Sequence, residues 1–130
     1  MAEIVYLDSP LESEALYERL CPPVRKWFKD KFPDFTRPQK LAIPAIMEKQ
    51  HLLLCSPTGS GKTLTAFLTV IDQLVRLALE RKLEKKVHAI YISPIKALAN
   101  DIQRNLIGPL NEITEHYLPD RAQEIRVGLR

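Results

Sequence analysis

The residues best suited to chemistry form one short run near the middle of the chain. Gly59 and Gly61 lack a Cβ atom, so the backbone there can curve around phosphate groups and turn its N–H groups inward. Lys62 can then reach the β and γ phosphates of a nucleotide, and the Thr63 hydroxyl can bind Mg²⁺. The pattern predicts a phosphate-binding loop in which Lys62 and Thr63 are also catalytic candidates. The eight candidate nucleotide-binding residues are Ser56, Pro57, Thr58, Gly59, Ser60, Gly61, Lys62 and Thr63.

A phosphate loop of this kind lies between a strand and a helix, and the sequence supplies both. Residues 51–55 are almost entirely apolar, which is typical of a strand buried on both faces. Residues 63–82 carry apolar side chains at helical spacing and predict a long amphipathic helix. This context argues against a glycine-rich turn that binds nothing, although Ser56 replaces the first glycine of the strict pattern. The predicted apolar face is Leu64, Phe67, Leu68, Ile71, Leu74, Val75 and Ala78, and the predicted solvent face is Thr69, Asp72, Gln73, Arg76 and Glu80.

Strand and helix patterns continue to alternate along the rest of the chain. This order predicts an α/β fold, with a parallel sheet flanked by helices and joined by right-handed crossovers. The other predicted elements are helices over residues 38–49, 95–106 and 110–117 and strands over residues 87–93 and 125–129, with Gly108 and Pro109 ending the second of these helices.

Residues 1–36 have a different character, with short helical patterns broken by prolines and much of the aromatic content. Val24, Trp27 and Phe28 have the spacing of one helical face and predict a short helix that begins after Pro23. We interpret the aromatic residues as packing residues. The sequence thus divides into a helical N-terminal segment, 1–36, and an α/β domain, 37–130.

Composition limits the class of protein. A chain of 130 residues that is 45% hydrophobic can bury a core and is not disordered, and a net charge of +3 permits an acidic partner without requiring one. The isolated Cys21 and Cys55 favour a reducing compartment, with Cys55 predicted to be buried among leucines. Neither a signal peptide nor an apolar run of membrane-spanning length is present in the sequence, and no metal-ligand spacing joins the histidines and cysteines. We therefore expect a soluble, intracellular (cytoplasmic) protein with no membrane partner.

Three motifs, taken together, resemble those of the superfamily 2 DEAD/DEAH-type helicases. Residues 57–63 have the usual form of motif I, residues 35–39 resemble the Q motif, and residues 91–101 resemble motif Ia. The residue sequence of motif Ia and the Trp27-Phe28 pair are most similar to those of the Lhr-type (large helicase-related) branch. The resemblance covers residues 22–130, with the motifs in the family's order and spacing.

This resemblance implies a RecA-like fold that binds ATP and Mg²⁺, with Thr63 contacting the metal through ATP. It adds Phe35 and Gln39 to the ATP-binding residues, because a glutamine amide can pair with N6 and N7 of adenine. The alternative for Gln39 is an ordinary polar residue in the first turn of a helix. The resemblance also implies that motif Ia contacts the backbone of a nucleic acid, either DNA or RNA, and the similarity to the Lhr-type branch favours DNA. The alternative for these residues is a solvated helix start. The implied contact residues are Pro94, Lys96, Ala97 and Asn100.

Two features depart from the family pattern. Lys49 and Gln50 stand where relatives usually carry a glycine before the first strand. The acidic motif II, the second RecA-like domain and its arginine finger are absent from the sequence, which we interpret as the N-terminal portion of a longer ATP-dependent helicase or translocase that is inactive by itself. A non-hydrolysing ATP-binding module and another phosphate-loop enzyme, such as a small-molecule kinase, are the alternatives.

Overall fold

The computed structural model describes residues 3–57, 61–93 and 100–128, and these residues fold as packed helices. The helices are α1 (Ser13–Arg19), α2 (Pro22–Lys31), α3 (Arg37–Met47), α4 (Lys62–Glu80) and α5 (Gly108–His116), and a π-helical segment (Gln103–Ile107) precedes α5. Helices α3 and α4 confirm the sequence predictions to within two residues at each end, and α2 begins at Pro22, within two residues of its predicted start. No helix in the described part of the chain is long and apolar enough to cross a bilayer.

The predicted strands are not formed in the described residues. Residues 51–57, 87–93 and 123–128 have no regular secondary structure, and residue 129 of the third predicted strand lies outside the described residues. Side chains predicted to be buried are instead exposed, with Leu53 and Ile92 each 88% exposed. The physical reason is that a strand needs a hydrogen-bonded neighbour, and these three segments do not pair with one another. The prediction of a parallel sheet is therefore wrong for the described part of this structure.

Helix α3 ends in a Schellman motif even though no glycine is present. Lys49 adopts the left-handed conformation, with φ of 65°. Its N–H donates to Ile46 O at 2.9 Å, and the N–H of Gln50 donates to Ala45 O at 3.1 Å. A glycine would adopt this conformation without steric cost, whereas the lysine tolerates it because the two hydrogen bonds close the helix end.

The chain remains helical through Gly108 and Pro109, contrary to the prediction that this pair ends a helix. A proline N cannot donate to the carbonyl four residues earlier, and its ring crowds that carbonyl. The preceding turn is widened into a π-helix, in which the N–H of Gly108 bonds to Gln103 O. A Cβ on Gly108 would lie 2.9 Å from that same oxygen, so the wide turn depends on glycine here. The bulge accommodates the proline, and α5 begins directly after it.

A single hydrophobic core joins the N-terminal helices to α4 and α5. The predicted packing role of the aromatic residues is confirmed except at Tyr6, which is 86% exposed. Phe28 stacks on Phe35 with ring centroids 4.3 Å apart, and the Tyr17 ring lies 4.6 Å from that of Phe35. The apolar face of α4 is buried as predicted, except that Leu74 is only partly buried. The largest fully buried side chains are Trp27, Phe28, Leu16, Leu20, Ile43, Leu68, Ile71 and Ile113.

Two residues assigned to the solvent face of α4 are buried, namely Thr69 and Asp72. Asp72 is 3% exposed and accepts hydrogen bonds from the backbone N–H of Cys21 at 2.7 Å and from Nε of Arg76 at 2.8 Å. A buried carboxylate is stable only with such partners. The polar face of α4 is thus an interface with the N-terminal segment, which helical periodicity alone cannot reveal.

The two cysteines lie in different environments, and one of them differs from expectation. Cys21 is buried beside Asp72, and desolvation together with that carboxylate raises its pKa to about 12. Cys55, predicted to be buried, is exposed. The reason is the same as for Leu53, since a segment without strand neighbours leaves both of its faces open.

Candidate nucleotide and nucleic-acid site

The phosphate loop enters α4 through Gly61. This residue caps the helix in the left-handed conformation, with φ of 84°. A Cβ at this position would lie 2.8 Å from Nε2 of Gln39, so the backbone angle favours glycine and any larger residue would displace the Gln39 amide. Because glycine offers no side-chain acceptor, the N–H groups in the first turn of α4 receive no side-chain cap from the described residues. This arrangement suits an anion at the start of α4.

Lys62 is turned back across the loop. Its Nζ donates to the carbonyl oxygen of Ser56 at 2.6 Å, which joins the two ends of the predicted phosphate loop. Thr63 lies beside it in the first turn and is half-buried. Pro57 is exposed, whereas Thr58, Gly59 and Ser60 lie outside the described residues. The structure therefore places the charged end of the loop and leaves the predicted role of its central residues untested.

Thr65 supports the start of α4 and was not predicted from the sequence. Its side chain is fully buried, and its Oγ1 donates to Gly61 O at 2.6 Å while its backbone N–H donates to the same oxygen at 2.9 Å. These two hydrogen bonds fix the position of the Gly61 carbonyl, directly before Lys62. A threonine four residues after a helix-capping glycine is the sequence signal for this contact.

Gln39 brings the predicted Q motif against the phosphate loop. It is 3% exposed and forms a capping box with Thr36, whose backbone N–H donates to Gln39 Oε1 at 2.8 Å. The opposite end of its amide, Nε2, faces Gly61. Gln39 is a polar residue in the first turn of a helix, as one interpretation of the sequence predicts. It also lies against the phosphate loop, as an ATP-binding residue would. Its reading of adenine stays a prediction.

Phe35 occupies a different environment from the other candidate ATP-binding residues. Its ring is buried in the aromatic cluster of the N-terminal helices, in contact with Phe28 and Tyr17. Its backbone N–H donates to Asp34 Oδ1 at 2.7 Å, just ahead of the capping box. In this structure the residue anchors the Q motif to the core, and a contact with ATP stays a prediction.

The predicted nucleic-acid residues are only partly described. Pro94, Lys96 and Ala97 lie outside the described residues. Asn100 is exposed at the start of the helical stretch 100–102, which leads into the π-helical segment. Asn100 is therefore accessible to a partner, as the prediction requires.

Space for a ligand lies beside the first turn of α4. A cavity of about 470 Å³ is lined by Lys62, Thr63 and Thr65 on one side and by His51 and Tyr91 on another. Within residues 3–57, 61–93 and 100–128, no three acidic, histidine or cysteine side chains are grouped to bind a metal ion. Thr63 lines this cavity, and its hydroxyl is an oxygen ligand of the kind that Mg²⁺ accepts, so the residue fits a Mg²⁺ ion that arrives with a polyphosphate, which provides most of the oxygen ligands.

The family of the chain follows from its sequence as a whole. The sequence model of the DEAD/DEAH box helicases matches residues 36–125, a span that runs from the Thr36 cap through the phosphate loop and motif Ia to Ile125. The chain belongs to the DEAD/DEAH box helicase family. Membership implies a RecA-like phosphate-loop fold, of which the described residues show the helices.

Individual relatives carry Lhr names, which confirms the resemblance to that branch. The chain is 47% identical over its whole length to the ATP-dependent helicase Lhr-Core of Methanocaldococcus jannaschii, covering 16% of that protein. It is 50% identical over 90% of its length to the Lhr-Core helicase of Saccharolobus solfataricus, covering 13% of it. It is 40% identical over 95% of its length to the Lhr helicase/uracil glycosylase of Escherichia coli, covering 8% of it. The chain thus spans about a sixth or less of these relatives. No solved structure matches it.

Proposed function

We propose that the chain is the ATP-binding portion of an ATP-dependent nucleic-acid helicase or translocase, with the phosphate loop binding ATP and motif Ia contacting the nucleic-acid backbone. One observation carries the proposal: the Gln39 amide lies against Gly61 at the point where the loop enters α4. An adenine-reading group and a phosphate-binding turn are thereby adjacent. Their adjacency favours ATP over the substrate of an unrelated phosphate-loop kinase.

Lys62 is the group that must move when ATP binds. Its ammonium is held by a neutral carbonyl, that of Ser56, at 2.6 Å. A phosphate oxygen carries more negative charge and forms a stronger, charge-assisted bond, so ATP draws the ammonium from the carbonyl to the phosphates. The uncapped N–H groups in the first turn of α4 then bind further phosphate oxygens. Mg²⁺, when bound with ATP, neutralises phosphate charge beside Thr63.

The experiment compares two lysines at opposite ends of α4. Lys62→Ala should weaken the binding of a fluorescent ATP analogue at least tenfold, about 1.4 kcal/mol, because it removes the full charge at the phosphates. Lys82→Ala is the matched control, since Lys82 lies just beyond the other end of the helix and pairs only with Glu80 among the described residues. Equal affinities for Lys62→Ala and the wild type would overturn the phosphate-loop assignment.

Hydrolysis is proposed for a longer protein. Phosphoryl transfer to water needs an acidic group that positions the metal and the water, and an arginine that stabilises the developing charge. The 130 residues alone should therefore show no ATPase activity that DNA or RNA stimulates, and single strands should bind weakly and in a salt-sensitive way. A phosphate-release assay with single-stranded DNA and RNA tests this, and stimulated turnover would place the catalytic acid within these residues. Tighter binding of DNA than of RNA is the expected preference.

A further inference from the structure

Helix α2 is attached to two different helices through directional polar contacts. At its beginning, the backbone N–H of Cys21 donates to Asp72 of α4 at 2.7 Å. Asp72 is held in turn by Nε of Arg76 at 2.8 Å, and an Nη2 group of Arg76 donates to the carbonyl of Arg19 just before α2. A buried carboxylate with these partners fixes the start of α2 against the middle of α4.

The second attachment joins the other half of α2 to α5. The buried indole of Trp27 donates through Nε1 to Glu112 Oε2 at 2.6 Å, and Lys31 Nζ lies 2.8 Å from Glu112 Oε1. One turn further along, the hydroxyl of Tyr117, the residue after α5, donates to Asp30 Oδ2 at 2.6 Å. Hydrogen bonding from Lys31 and then from Trp27 lowers the pKa of Glu112, so the carboxylate stays ionised at neutral pH.

Through these two attachments, α2 connects α4, which follows the phosphate loop, to α5, which follows motif Ia. Helix α4 begins with Lys62 of the phosphate loop, and α5 continues the helical stretch that starts at Asn100 of motif Ia. Helix α4 also packs directly on the π-helical segment, but apolar packing is non-directional and permits sliding. Hydrogen bonds to Asp72 and Glu112 permit little sliding, because each depends on distance and angle. A ten-residue helix such as α2 is a rigid spacer about 15 Å long.

We infer that α2 is a brace that fixes α5 relative to α4, and that Trp27 and Glu112 are positioning residues for the contact between motif Ia and a nucleic acid. The role of the brace in that contact rests on the proposed function. The brace concerns only the placement of α5 relative to α4, so it can be tested without any ligand. Neither residue touches ATP or nucleic acid in this inference; both act through the placement of α5.

The first arm of the test measures geometry. Spin labels on Gln73→Cys in α4 and Glu115→Cys in α5, both exposed positions, report the distance between the helices in a Cys55→Ser background. Cys21 is buried and its pKa is raised to about 12, so it takes no label. Trp27→Phe, which keeps the ring but removes the donor, and Glu112→Gln should each broaden the distance distribution. Glu48→Gln is the matched control, because it breaks the Arg19–Glu48 contact between elements other than α2.

The second arm measures binding. Trp27→Phe and Glu112→Gln should weaken binding of a labelled single strand by about threefold or more, with the affinity for the ATP analogue changed less than twofold. A lowered melting temperature with unchanged affinity for the single strand would mean a purely structural role, and would overturn the inference. An unchanged distance distribution in both variants would overturn the brace. If the wild type binds no single strand, the proposed function fails and the distance arm still decides the brace.

Discussion

Two regions of this molecule are rich in apolar residues, but one buries these side chains and the other exposes most of them. The helices α1 to α5 surround one core in which Phe28 is 1% exposed and stacks on Phe35. The segments 51–57 and 87–93 are also rich in apolar residues, but most of their large apolar side chains are exposed, with Ile90 79% exposed. A helix satisfies its own backbone hydrogen bonds and needs a partner for only one face. A central strand needs partners on both edges and both faces, so it is formed only when its neighbours are formed.

The largest expected effect is on the free energy of unfolding, which a substitution in the helical core should lower far more than one in segment 51–57. Phe28→Ala should destabilise the chain by about 3–5 kcal/mol, because it leaves a cavity in the aromatic core. Leu53→Ala should cost about 0.5 kcal/mol or less, because the side chain is already in water. Urea denaturation followed by far-ultraviolet circular dichroism measures both. A cost for Leu53→Ala close to that of Phe28→Ala would mean that residues 51–57 are buried in a sheet.

Cysteine modification compares the same two regions through their reactivity. At pH 8 a thiol with a pKa of about 12 is ionised only about once in ten thousand molecules, so Cys21 should resist alkylation. Cys55 is exposed and should react at least about a hundredfold faster. Mass spectrometry after a timed iodoacetamide pulse gives both rates in one sample. Equal protection of the two thiols would place Cys55 in a buried strand, as its leucine neighbours suggest.

Gln39 lies against Gly61, where the phosphate loop enters the helical region, and its substitution should have an intermediate effect. Gln39→Ala should abolish a preference for ATP over GTP of about tenfold while triphosphate binding persists, because adenine loses its amide partner. Thr36→Ala is the matched control, since it removes the other half of the capping box and leaves the amide in place. Competition titrations measure the preference. A wild type that binds ATP and GTP equally would leave Gln39 with its capping role alone.

The smallest expected effect concerns pH and the contact between α2 and α5. The pKa of Glu112 lies below its ordinary value of 4.5 because Lys31 and Trp27 bond to the carboxylate. Such a group stabilises the fold above its unfolded pKa, and that stabilisation is lost as pH falls through the lower folded pKa. Glu112 is partly exposed, so the contribution is roughly 0.5 kcal/mol or less.

Thermal melting from neutral pH down to acid pH measures this contribution. Glu112→Gln should show a shallower loss of stability over the acid range than the wild type. Glu84→Gln serves as the control, because Glu84 pairs only with Lys86 two residues away among the described residues. Parallel curves for Glu112→Gln and the wild type would contradict the role of the carboxylate.

The sequence by itself determined helices α2, α3 and α4 and singled out the residues of the predicted phosphate loop. Helix α4 could be predicted because its apolar side chains repeat at the period of the helix itself, and α2 because Pro22 and Pro23 favour a helix start. Gly61 could be singled out because a phosphate-binding turn needs backbone freedom that other residues lack. These are local properties, settled within one or two turns of chain.

Only the tertiary structure decided which polar groups are buried and which apolar segments are not. Asp72 has the spacing of a solvent-facing residue, yet the α1–α2 junction covers it and donates a hydrogen bond to it from 51 positions away. Leu53 and Cys55 have the pattern of a buried strand, yet they are exposed because no strand in the described part of the chain covers them. Gln39 meets Gly61 only because α3 packs against α4. Burial depends on contacts between elements that are far apart in the chain, so the periodicity of one element cannot predict it.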